Sequence, residues 1–381
     1  MQVPLLDLQR QNQPIESEIL AAFERVLKSS QFILGNEVEQ FERDAAAIAS
    51  VSFGIGMSSG TDAILVALMA LGIGPGDEVI CPSFTFFATA GCIARLGARP
   101  VFADSLESCF NIDPESIEKL VTSRTKAIIP VHLFGQPADL EPILNIAKRH
   151  RLAVIEDSAQ AFGAEYRGRP VGSFGDFATV SFFPTKNLGA LGDAGLLLTG
   201  NAVLAEKARV LRNHGMHPKY FHSMVGGNFR LDAVQAAVLG VKLPRLAEYT
   251  ARRQRHMAEY NWALAPLQGR EETHLILPRA HSDRTHIANQ YTLRVQPGKR
   301  WRGTESPRDA LRKHLQGRGI ASEIYYPIPL HRQECFQGFG PHLNLPVAEA
   351  LAAEVISLPV FPELMPEEQE TVIKAIADFV G

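Results

Sequence analysis

Cysteine is scarce in this chain. Its 381 residues hold four, Cys81, Cys92, Cys109 and Cys335, none in a C-x-x-C pair and all too far apart for a disulfide framework. That excludes a small secreted scaffold and makes a reducing cytoplasm the expected compartment. Long apolar runs are missing as well. No stretch approaches 18 uninterrupted apolar residues, and the opening MQVPLLDLQRQNQP has no basic region ahead of an apolar core. Neither a membrane span nor a secretory leader is therefore expected. An excess of one charge is also absent: 38 basic residues face 41 acidic ones, giving a net charge of -3, without a block of like sign. Nothing here calls for nucleic acid or an anionic membrane. The 12 histidines show no H-E-x-x-H or other ligand spacing, so no metal is expected.

What remains is an ordinary globular composition, 46% hydrophobic and 21% charged, long enough for two domains. The stretch Phe177 to Gly195, FATVSFFPTKNLGALGDAG, organises the rest. A β-like apolar run leads into a Pro-Thr turn, then Lys186, then a loop carrying Gly189, Gly192 and Gly195. A solvated lysine needs no such setting. One that must lose its proton and attack a carbonyl does, because partial burial lowers its pKa.

Apolar residues recur at helical spacing in Glu16 to Leu27, and a second helix is expected over Val38 to Ile48. Ser58-Ser59-Gly60-Thr61-Asp62 opens an apolar helix, an entrance that suits either plain N-capping or an anion on the free N–H groups. PSFTFF places Phe84, Phe86 and Phe87 after a short strand ending at Cys81; such rings are core or cover a flat heteroaromatic ligand. Strands are then expected at Arg99 to Ala103, Ala127 to Val131 and Leu152 to Ile155, with helices at Pro114 to Leu120 and Leu140 to His150. This βα alternation implies an α/β fold with a mostly parallel sheet covered on both faces and a ligand at the C-terminal strand ends. Asp157 closes an apolar strand, where an unpaired carboxylate is costly, so it needs a donor or cationic partner or else caps the following segment. Glu156 and Asp157 should face opposite sides of the sheet. Gln160 carries the same two readings.

Helices are expected at Ala202 to Leu211, Leu231 to Leu243 and Glu248 to Leu264, with Pro244 between the last two. The connection RNHGMHPKYFHSMVGGNFRLD is too long and too aromatic for a linker and reads as a functional loop or interface. The expected domains are 1–265 and a smaller α+β unit, 266–381, built from the strand NQYTLRV, a helix from Pro307 to Gln316, the strand IASEIYY and a closing helix from Pro366 to Phe379.

SSGTDA, PSFTFF, VIEDSAQ, SFFPTKNLGALGDAG, GGNFRLDAVQAA and YYPIPLH stand in the order and approximate spacing of the DegT/StrS-type nucleotide-sugar aminotransferases, which this chain resembles over essentially its whole length. The resemblance implies the aspartate-aminotransferase fold (fold type I) and pyridoxal 5'-phosphate as cofactor. It makes Lys186 the lysine bonded to that cofactor, and Asp157 the partner of its pyridinium nitrogen. Gly60, Thr61 and Ser181 become phosphate ligands, Phe86 the stacked aromatic and Gln160 the neighbour of the ring hydroxyl. It places Asn228 at the phosphate of the neighbouring subunit, hence a homodimer with shared active sites, and puts His222, Arg230, Tyr325, Tyr326 and His331 at the sugar nucleotide. The implied reaction moves an amino group from an amino acid, L-glutamate by resemblance, to a nucleotide-linked ketosugar. The wording of HPKYFHSMVGGNFRLD and YYPIPLH resembles members that aminate C3 rather than C4. Rival readings are a ketocyclitol aminotransferase, a sugar dehydratase using the same cofactor, and a non-catalytic regulatory member. Relatives that dehydrate replace the lysine with histidine, which Lys186 argues against.

Overall fold

The computed structural model describes residues 1–340 and 343–381. A seven-stranded sheet forms its centre, from β1 (Phe53–Met57), β2 (Glu78–Pro82), β3 (Arg99–Ala103), β4 (Thr125–Ile128), β5 (Ala153–Asp157), β8 (Phe177–Ser181) and β9 (Gly195–Thr199), in the order β1-β9-β8-β5-β4-β2-β3. Between β5 and β8 lies a small hairpin, β6 (Glu165–Tyr166) and β7 (Arg169–Pro170). Only β9 runs against its neighbours β1 and β8; the pairings from β8 through β5, β4 and β2 to β3 are parallel. The expectation of a mostly parallel sheet holds. Its strands are apolar nearly throughout because helices cover both faces, as the fully buried β2 and β9 show.

Two apolar layers flank this sheet. One contains the helix Gly60–Ala70, buried on almost every side, and the other the helix Ala233–Lys242. A second sheet, β10 (Thr273–Ile276), β11 (Tyr291–Pro297) and β12 (Val355–Leu358), is antiparallel and packs with the helices Pro307–Gly317 and Pro366–Val380. Val3 and the second half of the helix Leu246–Leu264, through Met257, Tyr260 and Leu264, join this smaller core. The N-terminal segment is tied to it by a bridge between Val3 and Ile320.

Two expectations are corrected. IASEIYY is not a strand: Ile320 bridges Val3 and Glu323 bridges Ser357, two different partners, so no continuous ladder forms. The strand expected over Ala127 to Val131 is Thr125–Ile128, because Pro130 has no N–H to offer. The break at Pro244 is a 3-10 turn, Leu243–Arg245, between two helices.

Candidate active site

The C-terminal ends of β5 and β8, the start of β9 and the N-terminus of the helix Gly60–Ala70 meet at one edge of the large sheet. Ser59 caps the helix, its Oγ accepting from the Asp62 N–H at 3.0 Å. A Cβ on Gly60 would stand 2.7 Å from Ser181 Cβ and 3.3 Å from Ser181 Oγ, so only glycine lets the helix start approach that serine. Thr61 is exposed beside it. Free N–H groups, the positive end of a helix and a serine hydroxyl converge there, which is the chemistry of a phosphate or carboxylate site.

Asp157 ends β5 and is 5% exposed. Thr89 Oγ1 donates to its Oδ2 at 2.9 Å and the Ala159 N–H to its Oδ1 at 3.2 Å, so the aspartate both caps the next turn and stays buried. Burial raises its pKa above the usual carboxylate value, and these donors, with the charge of Lys186, offset the rise only in part. Glu156 points the other way, as strand alternation requires. Its oxygens accept from the N–H groups of Gly172, Phe174 and Gly175 and from His132 Nε2, and they hold the turn before β8. The Ala138 N–H donates to His132 Nδ1, which puts the ring proton on Nε2, facing Glu156.

Lys186 follows β8 on the glycine-rich loop. Burial brings its pKa down to about 8 against the opposing pull of the Asp157 carboxylate. The loop is held from behind: Lys242 Nζ donates to the Gly189 carbonyl at 3.0 Å, and Gln235 Oε1 accepts from the Leu191 N–H at 2.9 Å.

Aromatic residues wall the cleft. Phe86 leaves 56% of its surface exposed, and its ring centroid lies 6.2 Å from that of Tyr326. Gln160 accepts from the Phe134 N–H at 2.6 Å and donates to Tyr326 Oη at 3.3 Å; the Tyr325 and Tyr326 rings are 5.9 Å apart. Gly60, Thr61, Phe86, Asp157, Gln160, Ser181, Lys186, Tyr325 and Tyr326 are thus gathered at one place. Arg230 sits at its rim, bridging Met57 of β1 with Nη1 donating to Asn213 Oδ1 at 2.7 Å.

Three residues stand differently. His331 is buried, with Nδ1 on Ser83 Oγ at 2.6 Å and Nε2 on Glu349 at 3.0 Å, so both ring nitrogens are engaged within the chain. Asn228 and His222 are exposed, and Asn228 pairs through its backbone with Asn213. Their connection also exposes Tyr220, Phe221 and Val225. Reading the sequence missed Thr89, His132 and Lys242, whose contacts with the site elements come from 68, 24 and 53 positions away in the chain.

Residues 13–377 match the DegT/DnrJ/EryC1/StrS aminotransferase family. A protein of Geobacillus stearothermophilus described as a pleiotropic regulatory protein is 50% identical over 380 residues, covering 100% of this chain and 99% of that one. The UDP-N-acetyl-3-dehydro-alpha-D-glucosamine 3-aminotransferase of Acidithiobacillus ferrooxidans is 45% identical over 366 residues, 96% of this chain and 95% of the relative. Among solved structures, S. venezuelae DesV in complex with a ketimine intermediate superposes with a TM-score of 0.93 at 42% identity, covering 100% of this chain and 98% of that one.

Proposed function

Because this chain belongs to the DegT/DnrJ/EryC1/StrS aminotransferase family, we propose that it moves an amino group from L-glutamate to C3 of a nucleotide-linked ketosugar, using pyridoxal 5'-phosphate. Its fold is the type I fold of pyridoxal-phosphate aminotransferases. The observation that carries the reading is Lys186 on the glycine-rich loop after β8, within electrostatic reach of the buried Asp157 carboxylate, which has no ion-pair partner among the described residues.

The residues fit that cofactor. Asp157 is an acid whose pKa is raised by burial, and a protonated ring nitrogen would give it a compensating cation. The cradle of Gly60, Thr61 and Ser181 accepts a dianionic phosphate, and the exposed face of Phe86 suits a flat ring. Gln160, already tied to Tyr326, would hold the ring hydroxyl. Pyridoxal phosphate supplies an aldehyde that takes up the donor amine and a protonated ring that withdraws electron density from the carbon beside it. Lys186 would hold the cofactor through its aldehyde, and its Nζ would carry the proton removed from the donor's α-carbon. Arg230, His222, Tyr325 and Tyr326 serve the sugar nucleotide, with His331 fixing the YYPIPLH segment through Ser83. A screen of nucleotide-linked amino sugars, run in reverse and followed by loss of the pyridoxal absorbance, tests the reading; a protein that loads cofactor but reacts with no amino sugar overturns it. The regulatory name of the 50% relative favours a second reading, binding without turnover, and the same screen separates the two.

Gly60→Ala is expected to weaken cofactor binding about fivefold to a hundredfold, the effect of about 1–3 kcal/mol of overpacking against Ser181. Equilibrium titration of the apoprotein measures this, and unchanged affinity would remove the phosphate from that helix start.

Asn228 is proposed to serve the partner's site in a homodimer, since its side chain is exposed on a segment that also exposes Tyr220, Phe221 and Val225. A two-fold interface uses the same patch twice, so each site would combine Lys186 of one chain with Asn228 of the other. Lys186→Ala and Asn228→Asp, each inactive alone, should recover about a quarter of wild-type activity on random reassociation, because about half the dimers then hold one intact site. With subunit exchange established by tagged co-purification, no recovery would place Asn228 in its own chain's site.

A further inference from the structure

The loop that carries Lys186 runs from the end of β8 toward the start of β9. The Ala190 N–H donates to the Phe182 carbonyl at 2.8 Å and closes its base, while Lys242 and Gln235 hold it at Gly189 and Leu191. Within its tip, Pro184 to Leu188, a single hydrogen bond reaches another element among the described residues: Asn187 Nδ2 donates to the Ile287 carbonyl at 3.0 Å. The Asn187 side chain is 5% exposed and its Oδ1 has no partner, so the amide serves through its donor alone. Asn187 follows Lys186 directly, and a bond that fixes the one fixes the backbone of the other.

Ile287 belongs to His286–Gln290, the irregular segment that leads into β11. Ala288 stands in the left-handed region at φ 48°, a conformation that costs an alanine free energy and persists only where its surroundings hold it. Several groups supply that hold. His286 Nδ1 accepts from the Ala288 N–H at 3.0 Å. The Ile287 N–H donates to the Gly135 carbonyl at 2.9 Å and the Asn289 N–H to the Phe134 carbonyl at 3.1 Å. Arg253, on the helix Leu246–Leu264 and buried, turns Nη1 to the carbonyls of Ala288 at 3.4 Å, Asn289 at 3.2 Å and Val360 at 2.8 Å. A buried carbonyl outside a helix or ladder needs a donor, and this guanidinium supplies one to two separate segments. The Phe134 N–H in turn donates to Gln160, so His286–Gln290 bears on the supports of two site residues.

We propose that Asn187 is a positioning residue for Lys186: through the Ile287 carbonyl it braces the tip of the lysine loop against His286–Gln290, the segment that Arg253 clamps. A displacement of about 1 Å costs a reacting group about 10²-fold in rate, and a tip held by one hydrogen bond is where such a loss arises. Among the described residues neither Gly60 nor Ser181 is hydrogen-bonded to this segment, which separates binding of the cofactor phosphate from the aim of the amine. The inference rests on the reading above, in which Lys186 holds the cofactor through its aldehyde.

Deoxypyridoxine phosphate, which carries a methyl group where pyridoxal phosphate has its aldehyde, binds the apoprotein without a bond to lysine and reports the cradle. Stopped-flow capture of pyridoxal phosphate reports the aim of Lys186. Asn187→Leu, of similar size and without a donor, should bind the analogue within about twofold of wild type and capture pyridoxal phosphate about tenfold or more slowly. Arg253→Lys keeps the charge but ends a bond short of where Nη1 stands, and it should show the same pattern at about threefold or more. In the double variant the loss should fall short of the product of the two, since both act through one segment. A folded Asn187→Leu that captures the cofactor within about twofold of wild type, or that loses analogue binding and capture by the same factor, overturns the proposal, as does a double variant whose losses multiply. Should Asn187→Leu fail to fold, Arg253→Lys decides by the same two measurements. Borohydride attachment of the cofactor to Lys186 in the wild type tests the aminotransferase reading separately.

Discussion

Lys186→Ala is expected to fold, to bind pyridoxal phosphate through the Gly60–Ser181 cradle, and to lose about 10⁴-fold or more of its turnover. A positioned acid–base group alone contributes about 10²–10⁴-fold, and under the proposed function this lysine is also the covalent anchor, so the loss lies at or beyond the upper end. Borohydride reduction of the wild type should fix the cofactor to Lys186, and reduction of the variant should fix it nowhere; attachment to Lys242, the other lysine that burial lowers to about 8, would refute the assignment. The sign of the pH effect follows from the lysine's depressed pKa. In the apoprotein the amine is protonated below about 8 and free above it, so the rate of cofactor capture should rise with pH and level off above about 8. An ordinary surface lysine would keep rising toward about 10.4. Stopped-flow absorbance across that range distinguishes the two.

Lys186, Asp157 and Gly60 were legible because each breaks a local rule: a lysine on a glycine-rich turn, a carboxylate at the end of an apolar strand, a glycine where a helix begins. The strands β2, β3 and β5 were legible from apolar runs, and the helix Pro114–Leu120 from its aspartate cap. β1 was not, since Gly54 and Gly56 in FGIGM weaken any strand signal, yet a Cβ on Gly56 would stand 2.9 Å from Leu231. IASEIYY carried the opposite error, a β-like pattern with no second strand to complete it. Thr89 and Arg253 had no local signature at all. The hydroxyl of Thr89 matters only because β5 brings Asp157 to it, and Arg253, within a run of basic residues on a helix, is buried only because the Val360 carbonyl arrives from 107 positions further on. Single-chain geometry places His331 inside the protein and leaves Asn228 exposed, and a sequence read one residue at a time shows neither.

Asp157→Asn should have opposite effects on the two forms of the protein. In the apoprotein the raised pKa means that the ionised carboxylate is less favoured in the fold than in the unfolded chain, so at neutral pH the charge subtracts from stability. Asparagine has nearly the same shape, the Ala159 N–H can still donate to its oxygen, and the Thr89 hydroxyl can turn to accept from its amide. The cofactor-free variant should therefore melt at or above the wild-type temperature. With cofactor present the relation inverts, because a carboxylate beside the ring nitrogen keeps that nitrogen protonated and an amide does not. Removal of one preorganised electrostatic group costs about 3–4 kcal/mol at the transition state, so deprotonation of the amino donor should slow about 10²–10³-fold. Single-turnover reaction with L-glutamate measures the second effect and calorimetric melting the first. Near wild-type half-reaction rates would remove Asp157 from the chemistry, whereas a large loss of apoprotein stability would make it a structural cap of the Ala159 turn, held in place by Thr89.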